Sequence, residues 1–158
     1  MSIPHFKTSE EKNNCCGCRA CGYICPTKSI RFDKDDEGFF YPVIDVDTCT
    51  DCGLCEKVCP NINLQKISSE QHIYAAWAKD DIVRNDASSG GIFPLLAMKM
   101  LDKEGVVYGA AFDQKLILKH IGVSRLEDLK PLCKSKYLQS DTNESFLKVK
   151  DDLENNRN

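Results

Sequence analysis

Cys15-Cys16-Gly17-Cys18-Arg19-Ala20-Cys21-Gly22-Tyr23-Ile24-Cys25-Pro26 decides the fold of the first part of this chain, because its cysteine spacing returns at Cys49-x₂-Cys52-x₂-Cys55-x₃-Cys59-Pro60. The run C-x₂-C-x₂-C-x₃-C-P is the bacterial iron–sulfur spacing. A cubane cluster needs four thiolates converging on four corners. Three cysteines on one tight loop reach three corners, and the fourth comes from elsewhere. In two-cluster proteins the last cysteine of each run serves the other cluster. The expected ligand sets are therefore Cys15, Cys18, Cys21 and Cys59 for one 4Fe-4S cluster, and Cys49, Cys52, Cys55 and Cys25 for a second.

Two other uses of cysteine compete with this reading. Ten cysteines in 158 residues could staple a secreted scaffold, but Met1–Lys12 is polar and has no apolar signal core. Zinc is the stronger rival. Structural zinc sites pair two short knuckles across a longer arc, whereas here three cysteines of the repeated spacing crowd into seven residues, twice. A cytoplasmic, reducing compartment follows from the need to keep thiolate ligands reduced.

The formal charge is −3, with no basic patch, so nucleic acid is not an expected partner. No stretch approaches the roughly 18 consecutive apolar residues of a membrane span. The negative charge sits in residues 1–70, with 8 basic against 11 acidic side chains, while the remainder carries 13 of each. An acidic redox module is suited to docking on basic surfaces of redox protein partners.

Around the cysteines, Ile30–Phe32 and Phe39–Val46 read as strands joined by the charged turn Asp33–Gly38. Ile24, Ile30, Val43, Val46, Leu54 and Val58 are the expected apolar sleeve. So small a module cannot build a large core, and the metal–sulfur bonds must carry much of its folding energy. Gly17, Gly22 and Gly53 suit either plain turns or close approach of amides to cluster sulfur. Cys16 and Cys133 are left over and read as packing residues. His5, His72 and His120 have no metal-ligand spacing.

The polar stretch 63–72 reads as a linker between a ferredoxin domain at 1–62 and a second domain at 73–158. In the second domain Ile73–Ala78 reads as a strand and Ile92–Leu101 as a helix. That helix should bury Ile92, Leu95, Leu96 and Met100 and close at Gly105. Val106–Phe112 and Leu116–Val123 form an expected hairpin. Ser124 and Glu127 suggest a capping box before a short helix that Pro131 ends. Asp141 or Thr142 should cap a last helix with Phe146, Val149 and Leu153 on one face. The fold class expected is α+β: a bacterial-type two-cluster ferredoxin module followed by an incomplete α/β domain. Ser88-Ser89-Gly90-Gly91, at the start of a helix, combines hydroxyls with free amides at the positive end of a dipole. It suits either a phosphate or a simple helix cap.

The ordered set of motifs resembles the beta subunit of the coenzyme F-type (8-hydroxy-5-deazaflavin) hydrogenase and dehydrogenase family. It comprises the paired cysteine runs, Tyr74-Ala75-Ala76, Ser88-Ser89-Gly90-Gly91-Ile92-Phe93, Gly105-Val106-Val107-Tyr108-Gly109-Ala110 and Ser135-Lys136-Tyr137-Leu138-Gln139-Ser140-Asp141. The resemblance implies a flavoprotein, with FAD beside the two 4Fe-4S clusters. It places Ser88, Ser89, Gly90 and Gly91 near the phosphates, with Lys136 supplying a cation and Tyr137 a stacking ring. Family members continue past the end of this chain, so the resemblance also implies a truncated flavin domain that a remaining subunit or domain completes. No residue is singled out as catalytic. Two other functions stand beside the flavin-linked oxidoreductase: a ferredoxin-like carrier with a docking domain, and a structural zinc protein.

Overall fold

Two left-handed residues bend each cysteine run before it enters a short helix. In the computed structural model, which describes residues 14–63, 72–142 and 144–157, the first run passes through Gly17 (φ 64°) and Arg19 (φ 62°), and the second through Asp51 (φ 53°) and Gly53 (φ 69°). Glycine adopts this backbone freely, whereas a residue with a Cβ gives up about 1–2 kcal/mol. Helix α1 (Ala20–Ile24) starts after Arg19, α2 (Leu54–Lys57) starts after Gly53, and the two pack together. The proline after each fourth cysteine cannot extend its helix, and Cys25 is already extended at φ −68° and ψ 115°.

Between the runs lies an antiparallel hairpin of β1 (Ile30–Lys34) and β2 (Phe40–Ile44). Asp35 closes it by accepting from the amides of Glu37 at 3.1 Å and Phe39 at 2.9 Å. The register sets Ile30 opposite Ile44, Phe32 opposite Pro42 and Lys34 opposite Phe40, which puts these side chains on one face. β1 runs two residues beyond its sequence pattern, and β2 is shorter at both ends. The expected sleeve is partly wrong: Ile24, Val46 and Val58 are exposed, because they lie outside this face. Phe32, Pro42 and Ile44 take their place. Among the described residues of this unit no apolar side chain is buried; every buried apolar residue belongs to the other unit.

The chain divides into two compact units, Met1–Ser69 and Glu70–Asn158. The expected linker at 63–72 lies outside the described residues except at its two ends.

In the second unit Asp80 caps α3 (Asp81–Asn85), accepting from the amides of Ile82 at 2.8 Å and Val83 at 3.2 Å. α4 (Ile92–Leu101) begins at Gly91 and ends with the Gly105 amide donating to Met100 at 3.1 Å. β3 (Val107–Phe112) and β4 (Leu118–Val123) form the hairpin. Two 3₁₀ turns, Leu126–Asp128 and Lys130–Leu132, lead toward α5 (Ser145–Glu154). The core joins Ala97, Ala111, Val123, Leu129 and Leu132, with Met98, Leu101, Val107 and Cys133 at its edge.

Several expectations fail here. Ile73–Ala78 is not a strand: Ile73 is 91% exposed, and only Ala78 is buried, its amide bonded to the Gly90 carbonyl at 2.6 Å. Without a partner strand among the described residues its amides have no ladder to join. α4 buries Pro94 and Ala97 rather than Leu95, Leu96 and Met100, all three exposed, because the small Ala97 lets the helix approach the hairpin closely. The Ser124 capping box does not form. Arg125 instead pairs with Glu127 at 2.7 Å and Asp128 at 2.8 Å, and the backbone stays in 3₁₀ turns. Asp141 does not cap α5. Its backbone bridges to β4 instead, through His120 N at 2.7 Å and Leu118 O at 3.0 Å. Leu153 on α5 is 61% exposed. That helix is anchored by Tyr108, whose hydroxyl donates to Asp152 Oδ2 at 2.6 Å.

Candidate metal centre

Two cavities flank the inner face of the β1–β2 hairpin, and cysteines from both runs line each of them. The first is lined by Cys15, Cys18, Cys21 and Cys59, with Cys16 and Cys55 also on its wall. The second is lined by Cys25, Cys49, Cys52 and Cys55. Ile30, Ile44 and Cys55 are common to both linings. Thus Cys59, the last thiol of the second run, lines the first space with four cysteines of the first run and Cys55, and Cys25, the last of the first run, lines the second space with Cys49, Cys52 and Cys55. Asn61 donates its side-chain amide to the Asn14 carbonyl, tying the end of the second run to the start of the first.

This arrangement follows from local chain geometry. Left-handed turns fold each Cys-x₂-Cys-x₂-Cys segment around one space. The helix that follows then carries the fourth cysteine one turn away, and the contact between α1 and α2 brings it toward the other run. The Gly17 amide donates to Cys15 Sγ at 3.4 Å, the kind of hydrogen bond that adjusts cluster potential. Among the described residues no group of three or more His, Cys, Asp or Glu is placed to hold a single metal ion. The cysteines line two spaces, and such linings suit an inorganic group several atoms wide.

The electrostatics of the two cavities differ. Burial, reinforced by the neighbouring Cys18, pushes the Cys21 thiol up to about 12. Burial also raises Cys15, Cys18 and Cys55. At neutral pH iron must therefore displace protons from these thiols. For Cys25 burial works upward as well, but hydrogen bonds from Thr27 and Ser29 outweigh it and hold the thiol below its ordinary value. Thr27 Oγ1 lies 3.5 Å from Cys25 Sγ and 2.6 Å from Ser29 Oγ, which in turn accepts from Thr48 Oγ1 at 2.9 Å. Thr27 and Thr50 thus stand on the wall of the second cavity, whereas Phe32, Pro42 and Ile62 stand on that of the first.

Cys16 is exposed at the rim of the first cavity, rather than filling apolar space as its small side chain suggests. Cys133 packs against the core of the second unit, its thiol 3.5 Å from the Leu129 carbonyl. Arg19 and Asp51, which the spacing argument passes over, line the first and second cavities. Setting the two runs side by side would have singled them out, because each stands where the other run has glycine.

In the second unit Ser88 Oγ accepts from the Ser135 amide at 2.8 Å, which brings the Ser88–Gly91 loop to the segment containing Lys136 and Tyr137. Ser89 is left-handed at φ 55°. A Cβ on Gly90 would meet the Ala76 carbonyl oxygen at 2.4 Å, so close packing alone accounts for that glycine. Lys136 Nζ donates to the Pro131 carbonyl at 2.7 Å, and burial lowers its pKa. Tyr137 is 92% exposed. A cavity of about 240 Å³ in this unit is walled by Ile82, Met98, Leu129 and Cys133, among others, and touches none of these loop residues.

Residues 14–62 match the 4Fe-4S dicluster domain family, and the chain accordingly carries a ferredoxin-type 4Fe-4S electron-transfer domain within a mixed helix and small-sheet fold. It is similar to the ferredoxin-type protein NapF of Haemophilus influenzae, 40% identical over 43 residues that cover 27% of this chain and 24% of the relative. It is also similar to an uncharacterized ferredoxin of Methanocaldococcus jannaschii, 34% identical over 50 residues that cover 32% of this chain and 64% of the relative. The chain spans less than two thirds of the length of either relative. No helix among the described residues is long and apolar enough to cross a membrane.

Proposed function

We propose that residues 1–62 form a two-cluster ferredoxin domain that relays single electrons between redox protein partners in the reducing cytoplasm. Cys15, Cys18, Cys21 and Cys59 hold one 4Fe-4S cluster, and Cys49, Cys52, Cys55 and Cys25 hold the other. The observation that carries this reading is the lining of the two cavities, where three cysteines of one run meet the last cysteine of the other. A bound 4Fe-4S cluster supplies a reversible one-electron store. The chain's own residues do the rest. The thiols converge on each space, the Gly17 amide and Thr27 hydroxyl approach ligand sulfur, and Ile30 and Ile44 give both cavities an apolar wall in common. Cys49 and Cys52 are exposed, which leaves the second cavity accessible to a docked partner. Iron and acid-labile sulfide counts on anaerobically reconstituted protein test this. Two clusters require about eight of each per chain, and a colourless zinc protein would refute it.

A second, finer reading concerns residues 73–158, beyond a linker at 63–72. In it this region is the first part of a flavin domain of the deazaflavin coenzyme hydrogenase and dehydrogenase beta-subunit type, completed by a remaining subunit or domain. Ser88, Ser89, Gly90 and Gly91 would hold FAD phosphates, with Lys136 and Tyr137 alongside. The bond from Ser135 N to Ser88 Oγ favours it by drawing the two segments together. Release of a yellow chromophore from the purified full chain would support it, and failure to retain FAD after dialysis would count against it. If it fails, the second unit is a docking appendage to a simple electron carrier.

A further inference from the structure

The two cysteine runs differ in charge where they agree in backbone. Positions 17 and 51 are equivalent, as are 19 and 53, and all four residues are left-handed. In each pair one run has glycine: Gly17 against Asp51, and Gly53 against Arg19. Glycine would satisfy the backbone at every one of these positions, and a strained non-glycine residue points to a use for its side chain. Among the described residues Arg19 is the only charged side chain, thiols aside, lining the first cavity, and Asp51 the only one lining the second.

Arg19 is held in place. Its guanidinium carbon lies 4.5 Å from the Phe40 ring centroid and 5.3 Å from that of Phe32, within the range of about 6 Å for attraction between a cation and an aromatic face. Both rings stand on the hairpin face that borders the cavity. Arg19 is half-buried and Asp51 is exposed, so the arginine is the less screened of the two charges.

We infer that Arg19 raises the reduction potential of a cluster in the first cavity, and that Asp51 lowers that of a cluster in the second. The two charges thereby bias an electron toward the first cavity. This rests on the two-cluster reading. Reduction adds one negative charge to a cluster, which a nearby cation favours and a nearby anion opposes. Both residues act through space on the potential rather than as ligands.

The test is a dithionite titration of the anaerobically reconstituted full chain, followed by electron paramagnetic resonance, for wild type, Arg19→Gln, Arg19→Lys and Asp51→Asn. Arg19→Gln should weaken reduction of one cluster about tenfold, a shift of about 59 mV for one electron, and leave the other unchanged. Arg19→Lys should recover most of that shift. Asp51→Asn should move the other potential upward by a smaller factor, about threefold, because an exposed charge is screened. Two intact clusters whose potentials do not move, or variants that move the same potential, overturn the inference. Absence of any 4Fe-4S signal in wild type overturns the two-cluster reading instead. Should Arg19→Gln fail to assemble, Phe40→Leu removes the nearer of the two rings that hold the guanidinium and should lower the same potential. Phe40 also lies under the Lys34 ammonium at 5.0 Å, so Lys34→Gln, which should leave that potential in place, is its control. No shift in Phe40→Leu and none in Asp51→Asn would also overturn the inference.

Discussion

Cys59→Ala separates two ways of wiring the clusters when it is combined with a second substitution. Cys59 belongs by sequence to the second run, yet its side chain lines the first cavity with Cys15, Cys18 and Cys21. Two clusters bring about eight irons per chain, and loss of one leaves about four. The single variant should fall to about four under either wiring, so it does not discriminate. The double variants do, because two substitutions at one site are not additive while substitutions at separate sites are. With ligands exchanged between runs, Cys18→Ala/Cys59→Ala damages one site twice and should still hold about four irons. Cys52→Ala/Cys59→Ala damages both sites and should hold almost none. With ligands kept within each run the two results reverse. Stability follows the same logic. The described residues of the first unit bury no apolar side chain, and an isolated two-stranded hairpin is marginal in water. Cluster bonds must therefore supply most of its folding energy. The Cys52→Ala/Cys59→Ala chain should lose protease resistance across the first unit while the second, with its own core, stays protected. The assay is iron and acid-labile sulfide per chain after anaerobic reconstitution, with limited proteolysis of the same samples. About four irons in Cys52→Ala/Cys59→Ala, with almost none in Cys18→Ala/Cys59→Ala, would refute the exchange.

Cys16→Ala should leave iron content unchanged, since Cys15, Cys18, Cys21 and Cys59 already supply four thiols to the first cavity; a fall by half in the same assay would show it to be a ligand. Tyr108→Phe removes the 2.6 Å bond to Asp152, at a cost of about 1.5 kcal/mol and a fall of roughly 6–12 °C in the melting midpoint of the second unit. Burial and then the Asp152 hydrogen bond push Tyr108 up from 10.0 to about 12. The folded state therefore holds this proton more tightly than the unfolded chain does. Its contribution is complete below pH about 10 and fades as pH rises toward about 12. Melts across that interval should show a smaller alkaline loss in Tyr108→Phe than in wild type, and equal losses would contradict the assignment. Gly90→Ala forces a Cβ to within 2.4 Å of the Ala76 carbonyl oxygen, and should destabilise the second unit by about 1–3 kcal/mol. An unaltered thermal melt would show that this approach relaxes freely.

The cysteine spacing carried most of what can be read about the first unit, because metal ligation demands fixed thiols on short loops and so leaves its mark directly in sequence. The hairpin was legible for a similar reason: Asp35 and Gly38 mark its turn, and apolar residues flank them. What the linear pattern hid was the lining of the cavities. Ile24 and Val58 look like core by composition, but Ile24 ends α1 and Val58 follows α2, each beside a cysteine that lines a cavity, and they end exposed. Phe32 and Phe40 were silent because their partner, Arg19, sits in another element. In the second unit α4 was legible from Ile92 to Leu101, yet its buried face was misread, since Ala97 rather than a large residue meets the hairpin. The capping residues Ser124 and Asp141 are not used as caps: beside Ser124 a local ion pair joins Arg125 to Glu127 and Asp128, and Asp141 is drawn into a backbone bridge with β4. α3 went unread although Asp80 signals its start, because five residues are too few to show a helical period.

The most direct test of the central claim is the electron paramagnetic resonance spectrum of the dithionite-reduced, anaerobically reconstituted full chain. Two neighbouring 4Fe-4S clusters predict two spin-half centres whose lines are broadened by their mutual coupling. A single uncoupled signal, or a colourless protein that is silent and carries zinc, would contradict the account.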